Sequence, residues 1–155
     1  LHADPHAGNF AADGEGRLVI YDLGAVIPVP EGHLKAMMQL LDATLAADPM
    51  AMDDALRRLG GRQGQGAPLA LYRESAEAVA PLFEPGEQDF SDVRVHRRLR
   101  DLTPKVWAAM DRLQPPVDVL LLSRTLNGHY WNLVRLGARL DMHARTRPLL
   151  AWARR

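Results

Sequence analysis

Apolar positions divide the chain in two. Up to about residue 30 they come as short runs separated by polar, glycine-containing linkers, and from Glu31 onward they recur at helical spacing. Leu34, Met37, Met38, Leu41 and Leu45 stand at i, i+3, i+4, i+7 and i+11, which predicts an amphipathic helix burying that stripe, with the methionines as core filler. Asp48-Pro49 supplies an N-cap and a first-turn proline for a second helix that stops at Gly60-Gly61. A third helix is expected from about Pro68 to Phe83, closed by the turn Glu84-Pro85-Gly86-Glu87. Ser91 or Asp92 caps the next, with Val95, Leu99 and Leu102 inward and Arg94, Arg97, Arg98 and Arg100 outside. Thr103-Pro104 is expected to restart a helix carrying Val106, Trp107, Met110 and Leu113, which Pro115-Pro116 ends. Val117 to Leu136 is the most apolar segment, so it is expected in the core, where Arg124 would need a partner. Asp141 caps a last helix running to Trp152.

The first 24 residues follow a different pattern. Two short apolar runs flank Ala11-Ala12-Asp13-Gly14-Glu15-Gly16, whose Asp-Gly and second glycine predict the turn of a β-hairpin. Ahead of it, His2, Asp4 and Asn9 lie on a stretch that Pro5 and Gly8 keep from becoming a regular helix. Behind it, Asp22 follows a strand expected to be buried, Leu18 to Tyr21, and Gly24 lets the chain swerve. Three oxygen-bearing side chains are thereby expected to converge.

That set suits phosphoryl transfer, which needs a magnesium ion held by a carboxylate and an amide oxygen, plus a second carboxylate for the acceptor. Protein kinases use H-R-D-x-x-x-x-N followed by D-F-G. Here His2-Ala3-Asp4 is followed by Asn9 at the same offset, and Asp22-Leu23-Gly24 stands where D-F-G would. The octet His2-Ala3-Asp4-Pro5-His6-Ala7-Gly8-Asn9 resembles the catalytic loop of the UbiB/AarF atypical kinases, with Ala7 for the usual proline and Leu23 for the usual phenylalanine. Pro115-Pro116, Arg124 and Leu136-Gly137-Ala138-Arg139 look like that family's C-terminal region.

The resemblance implies a mainly α, kinase-like C-terminal lobe with one small hairpin, covering residues 1–155 as a single domain. It implies ATP and Mg²⁺ as cofactors, with Asp4 as catalytic aspartate, Asn9 and Asp22 as metal and nucleotide ligands, and His2 and Gly24 in support. It also links the chain to ubiquinone or other isoprenoid-lipid pathways, with a nucleotide and a lipid or isoprenoid small molecule as partners. Leu23 is expected to plug the space beneath Asp22. A kinase-like fold grips its nucleotide with a preceding lobe, and the loop begins here at residue 2, so the chain is expected to be a C-terminal fragment, inactive alone.

Composition narrows the acceptor and the setting. Between Gly24 and Asp42 there is no Ser, Thr or Tyr, which argues against a phosphorylated activation segment and for a small-molecule acceptor or water. The absence of cysteine excludes disulfides and cysteine zinc sites. No apolar run reaches membrane-spanning length, so a cytoplasmic setting is expected. Residues 1–93 hold 6 Lys/Arg against 15 Asp/Glu, and residues 94–155 hold 13 against 4, so the halves carry opposite net charge. Ion pairing between the halves is the plainer reading; the alternative is peripheral contact of the basic half with the inner face of a membrane. Nucleic acid is not expected, since no basic stripe is interleaved with aromatics. Two rival functions remain: an inactive helical scaffold for a lipid-pathway partner or membrane surface, and a metal-dependent hydrolase using His2, Asp4 and His6.

Overall fold

The computed structural model describes every residue except Gln63, and every side chain except those of Gln63, Val93, Val95 and Asp118. The expected inward placement of Val95 therefore lies outside the described residues. The chain opens with a hairpin of β1 (Phe10–Ala12) and β2 (Leu18–Ile20), paired Phe10 to Ile20 and Ala12 to Leu18. Then come α1 (Glu31–Leu45), α2 (Pro49–Arg58), α3 (Leu69–Val79), β3 (Gln88–Asp89), α4 (Val93–Ala108), α5 (Val117–Arg135), β4 (Arg139–Leu140) and α6 (Met142–Ala153). The architecture is mainly α, as expected. The one small hairpin is the expected one; β3 and β4 add a short antiparallel pair joined through α4 and α5.

A capping aspartate sets three of the helix starts. Asp48 accepts from the amides of Met50 and Ala51, with Pro49 in the first turn, and Asp141 accepts from Ala144. Asp92 accepts from Arg94 at the start of α4. That helix does not restart at Pro104 but runs through it to Ala108. Pro104 lacks the amide that would bond four residues back, and it lies on the exposed side, where water can satisfy the freed carbonyl.

The core sits among α1 to α4. Ala43, Met52, Ala67, Leu71, Tyr72, Ala76, Ala78, Leu102 and Ala109 form one buried cluster, with Leu40, Leu56, Leu99 and Leu113 packed on it. The expected α1 stripe is only half buried; its fully buried positions are Ala36, Ala43 and Thr44, because α1 packs closely on α2 through small residues. Asp53 closes the loop after α2, accepting from the Tyr72 hydroxyl at 2.9 Å and from Arg62 at 3.1 Å, which makes that loop a structural connection. An apolar cavity of about 350 Å³ lies among these helices, and none of its lining residues comes from the first 30.

The segment α5 departs most from expectation. Val119, Leu122 and Thr125 are buried, but Val117, Leu120, Leu121, Leu126, Trp131 and Leu136 are exposed. Its N-terminus docks on the end of α2, where Val119 joins Ala36 and Leu59, and Pro116 lies against Gly60. Gly60 has φ +70, and an added Cβ would meet the Pro116 ring at 3.0 Å, so glycine is required there twice over. Arg124 is exposed rather than buried, so the burial that would have demanded a partner is absent. Opposite charges of the two halves do meet: Arg154 forks onto both Asp42 carboxylate oxygens at 2.6 and 2.9 Å, Lys105 reaches Glu74, and Arg139 approaches Asp89.

Candidate functional site

Residues 1–27 form two successive antiparallel pairings. Leu1 and Ile27 exchange backbone hydrogen bonds at 2.9 Å, and the Ala3 amide donates to Ala25 O at 2.8 Å. Further along, β1 pairs with β2, and the last rung runs from the Tyr21 amide to Asn9 O at 2.8 Å. Asp4 to Asn9 is therefore the irregular stretch between the two pairings on one strand, and Tyr21 to Gly24 is its counterpart on the other. The beginning and end of this arm belong to one local frame.

Within that frame the Asn9 side-chain amide donates to Asp4 Oδ2 at 2.7 Å, with Asp4 O 3.4 Å away. The amide nitrogen is thus committed to Asp4, which leaves the Asn9 oxygen as the free acceptor end. Asp22 has left-handed backbone, φ 53 and ψ 70, and its Oδ1 accepts from the Gly24 amide at 3.2 Å. An Asp tolerates that region because its short side chain can bond its own neighbouring backbone. Asp4 and Asn9 are directly joined; the Asp22 carboxylate bonds to neither, and its residue follows Tyr21, whose amide pairs with Asn9 O. Asp22 is exposed, and Asp4 and Asn9 are half buried.

His2 Nε2 lies 3.1 Å from Asp22 O and 3.4 Å from Tyr21 O, both acceptors, so this nitrogen donates and ties the chain start to the Asp22 peptide. Its Nδ1 is buried without a hydrogen-bond partner among the described residues, and its ring lies 5.3 Å from that of Phe10. His6 is exposed, and its Nδ1 accepts from the Gly8 amide at 3.1 Å. The two histidines are thereby turned to separate local tasks. Among the described residues no three His, Asp or Glu side chains assemble as a metal site, which overturns the His2, Asp4, His6 hydrolase.

Two further expectations need correction. The strand ahead of Asp22 is not buried, since Leu18 is 68% and Ile20 42% exposed. Leu23, 67% exposed, is no plug; the Gly24 amide and the His2 ring hold the Asp22 turn instead.

Residues that the pattern alone did not single out brace the loop from outside. Asn132 Nδ2 donates to Pro5 O at 2.7 Å, and the fully buried Thr125 hydroxyl donates to Leu121 O at 2.9 Å with Ala3 O at 3.4 Å. Gly128 lies flat against the Pro5 ring, and the His129 ring meets Phe10 edge-on at 5.5 Å. A glycine and an asparagine four residues apart inside α5 were the available signal.

Residues 1–56 match the ABC1 atypical kinase-like domain. The matched stretch takes in the arm, α1 and the first turns of α2, about a third of the chain. A protein of Paramecium bursaria Chlorella virus 1, named as a candidate ABC transporter, is 28% identical over 91 residues, which is 59% of this chain. The chain spans only 19% of that relative's length. The domain match does not reach α5, so it does not speak for the expected likeness of Pro115-Pro116, Arg124 and Leu136 to Arg139. Among the described residues no helix is long and apolar enough to cross a membrane.

Proposed function

We propose that this chain carries the acidic side of a magnesium–nucleotide site, and that the protein transfers or hydrolyses the terminal phosphoryl group of ATP. The observation that carries this reading is the 2.7 Å bond from the Asn9 amide to the Asp4 carboxylate, set across the paired strands from Asp22. That bond leaves the Asn9 oxygen as an acceptor, and with the exposed Asp22 carboxylate it would make an oxygen donor pair of the kind Mg²⁺ accepts while keeping waters and phosphate oxygens in its remaining positions. Asn9 and Asp22 would hold the ion, whose charge offsets that of the phosphates, and Asp4 would orient the attacking hydroxyl or water. The octet from His2 to Asn9 supports a UbiB/AarF-type enzyme, and a link to ubiquinone or isoprenoid lipids rests on that resemblance alone. The run from Ala25 to Leu41, free of hydroxyl side chains, favours a small molecule or water as acceptor.

A second reading is a non-catalytic scaffold. It is favoured by the exposed apolar side chains Leu18, Ile20, Tyr21, Leu23 and Val26 along the same arm, which form a surface suited to a partner. The two readings part on Asp22→Asn in the full-length protein. The enzyme reading expects Mg²⁺-dependent ATP turnover to collapse and magnesium–nucleotide affinity to fall. Unaltered turnover and affinity would reject it in favour of the scaffold.

A further inference from the structure

Asp4 is the residue on which the proposed chemistry turns, yet its loop has almost no packing of its own. Both peptide carbonyls flanking it, Ala3 O and Pro5 O, face donors on α5, Thr125 and Asn132 respectively. Between those donors in the helix stands Gly128, the contact point for the Pro5 ring. Thr125, Gly128, His129 and Asn132 recur at i, i+3, i+4 and i+7, so one face of α5 is given over to the loop and to Phe10 just beyond it. We propose that Gly128 and Asn132 are positioning residues that fix the Asp4 carboxylate through the Pro5 peptide. This rests on the reading of Asp4 given above.

The geometry says how. A Cβ added at Gly128 would lie 2.6 Å from Pro5 Cβ and closer still to Cγ, so helix and loop cannot both stay in place. Proline has few conformations in which to absorb the overlap, and the shift passes to the adjoining Asp4 peptide. Asn132 acts on the same peptide through its 2.7 Å bond to Pro5 O. Neither residue bonds to the side chains of Asn9 or Asp22, which are set by the arm itself. The expected signature is therefore a split: the attacking group is misplaced while the metal and nucleotide ligands stay where they were.

The test compares Gly128→Ala, Asn132→Ala, Pro5→Gly and Pro5→Gly/Gly128→Ala in the full-length protein, with Leu136→Ala as a control at an exposed position of the same region. Gly128→Ala is expected to lower kcat about 100-fold, the scale of an ångström misplacement of a reacting group. Asn132→Ala is expected to lower it about tenfold, the worth of one lost hydrogen bond. The Kd for Mg-ADP should stay within about threefold of wild type, since the ligand residues are untouched. Amide exchange should quicken at residues 3–9 and not at residues 10–20. Relieving the overlap with Pro5→Gly should make Gly128→Ala less damaging than it is in the wild-type background. Unchanged kcat in both single variants, or equal loss from Gly128→Ala with and without Pro5→Gly, would overturn the proposal. So would a fall in kcat, affinity and Tm together, because that is the mark of general damage to the fold. A wild-type protein that neither binds nor turns over Mg-ATP would instead sink the reading of Asp4; the exchange data would then still judge the brace, and unchanged exchange at residues 3–9 would reject it.

Discussion

The arm of residues 1–27 and the body built on α1 to α4 are held together by different forces. In the body, Leu71, Tyr72, Ala76 and Met52 are at most 7% exposed, and burial of apolar surface does the holding. In the arm, Leu18, Ile20, Tyr21, Leu23 and Val26 are all more than 40% exposed, and backbone pairing, the Asn9–Asp4 bond and the contacts from α5 do it instead. The residues proposed to carry chemistry thus sit where less stability depends on them than in the body. Changing them should alter activity without unfolding the molecule, and changing the body should do the reverse.

The largest test of that contrast is Asp4→Ala in the full-length protein. Turnover should fall on the order of 100-fold or more, as when a group aimed at the transition state is removed. Stability should fall by only about 1 kcal/mol, the worth of the lost bond from Asn9. A large drop in Tm would erase the contrast. Next comes Leu71→Ala, expected to cost about 3 kcal/mol in denaturant unfolding because it leaves a cavity in the buried cluster, with kcat of the folded protein unchanged. The matching change in the arm, Ile20→Ala at a side chain 42% exposed, should cost about 1 kcal/mol or less. Equal costs would mean that the arm is packed as tightly as the body.

Smaller effects sharpen the picture of the body. Asp48→Ala removes the carboxylate oxygen that accepts from two amides at the start of α2 and should cost about 1 kcal/mol. Asp42→Asn breaks the fork from Arg154 that ties α6 to α1, an exposed pair expected to contribute roughly 0.5 kcal/mol. The hydrogen bonds from Arg154 hold the Asp42 carboxyl below its ordinary value in the folded state. That contribution is present in full above the ordinary carboxylate value of about 3.9 and is lost as pH falls through the lower folded-state value. The difference in Tm between wild type and Asp42→Asn should therefore be present at neutral pH and vanish in strong acid. A difference that persisted there would assign it to packing.

Much of the body was legible because its signals are local. Asp48-Pro49 and Asp141 act on amides two or three residues away, and the periods of α1 to α3 are set within each helix. The spacing of Asp4, Asn9 and Asp22 was likewise readable, and so was the turn between β1 and β2 that separates them. What escaped was tertiary. Composition put α5 in the core, but its buried side is narrow: Val119, Leu122 and Thr125, flanked by exposed leucines. The role of Gly128 depends on a proline more than 120 residues earlier, which no periodicity reveals. Leu23 was taken for a plug by its type, whereas the backbone of Asp22 is set by the Gly24 amide. Pro104 marked a helix boundary in sequence and proved to be an exposed position within one.

Whether the arm is a metal–nucleotide site can be read by titrating the isotope-labelled full-length protein with Mn²⁺ and ADP and following paramagnetic broadening of its amide signals. The account predicts that Asp4, Asn9 and Asp22 to Gly24 broaden first, only when nucleotide and metal are both present, and that Asp22→Asn removes the effect. Broadening centred elsewhere, with those five amides left sharp, would contradict it.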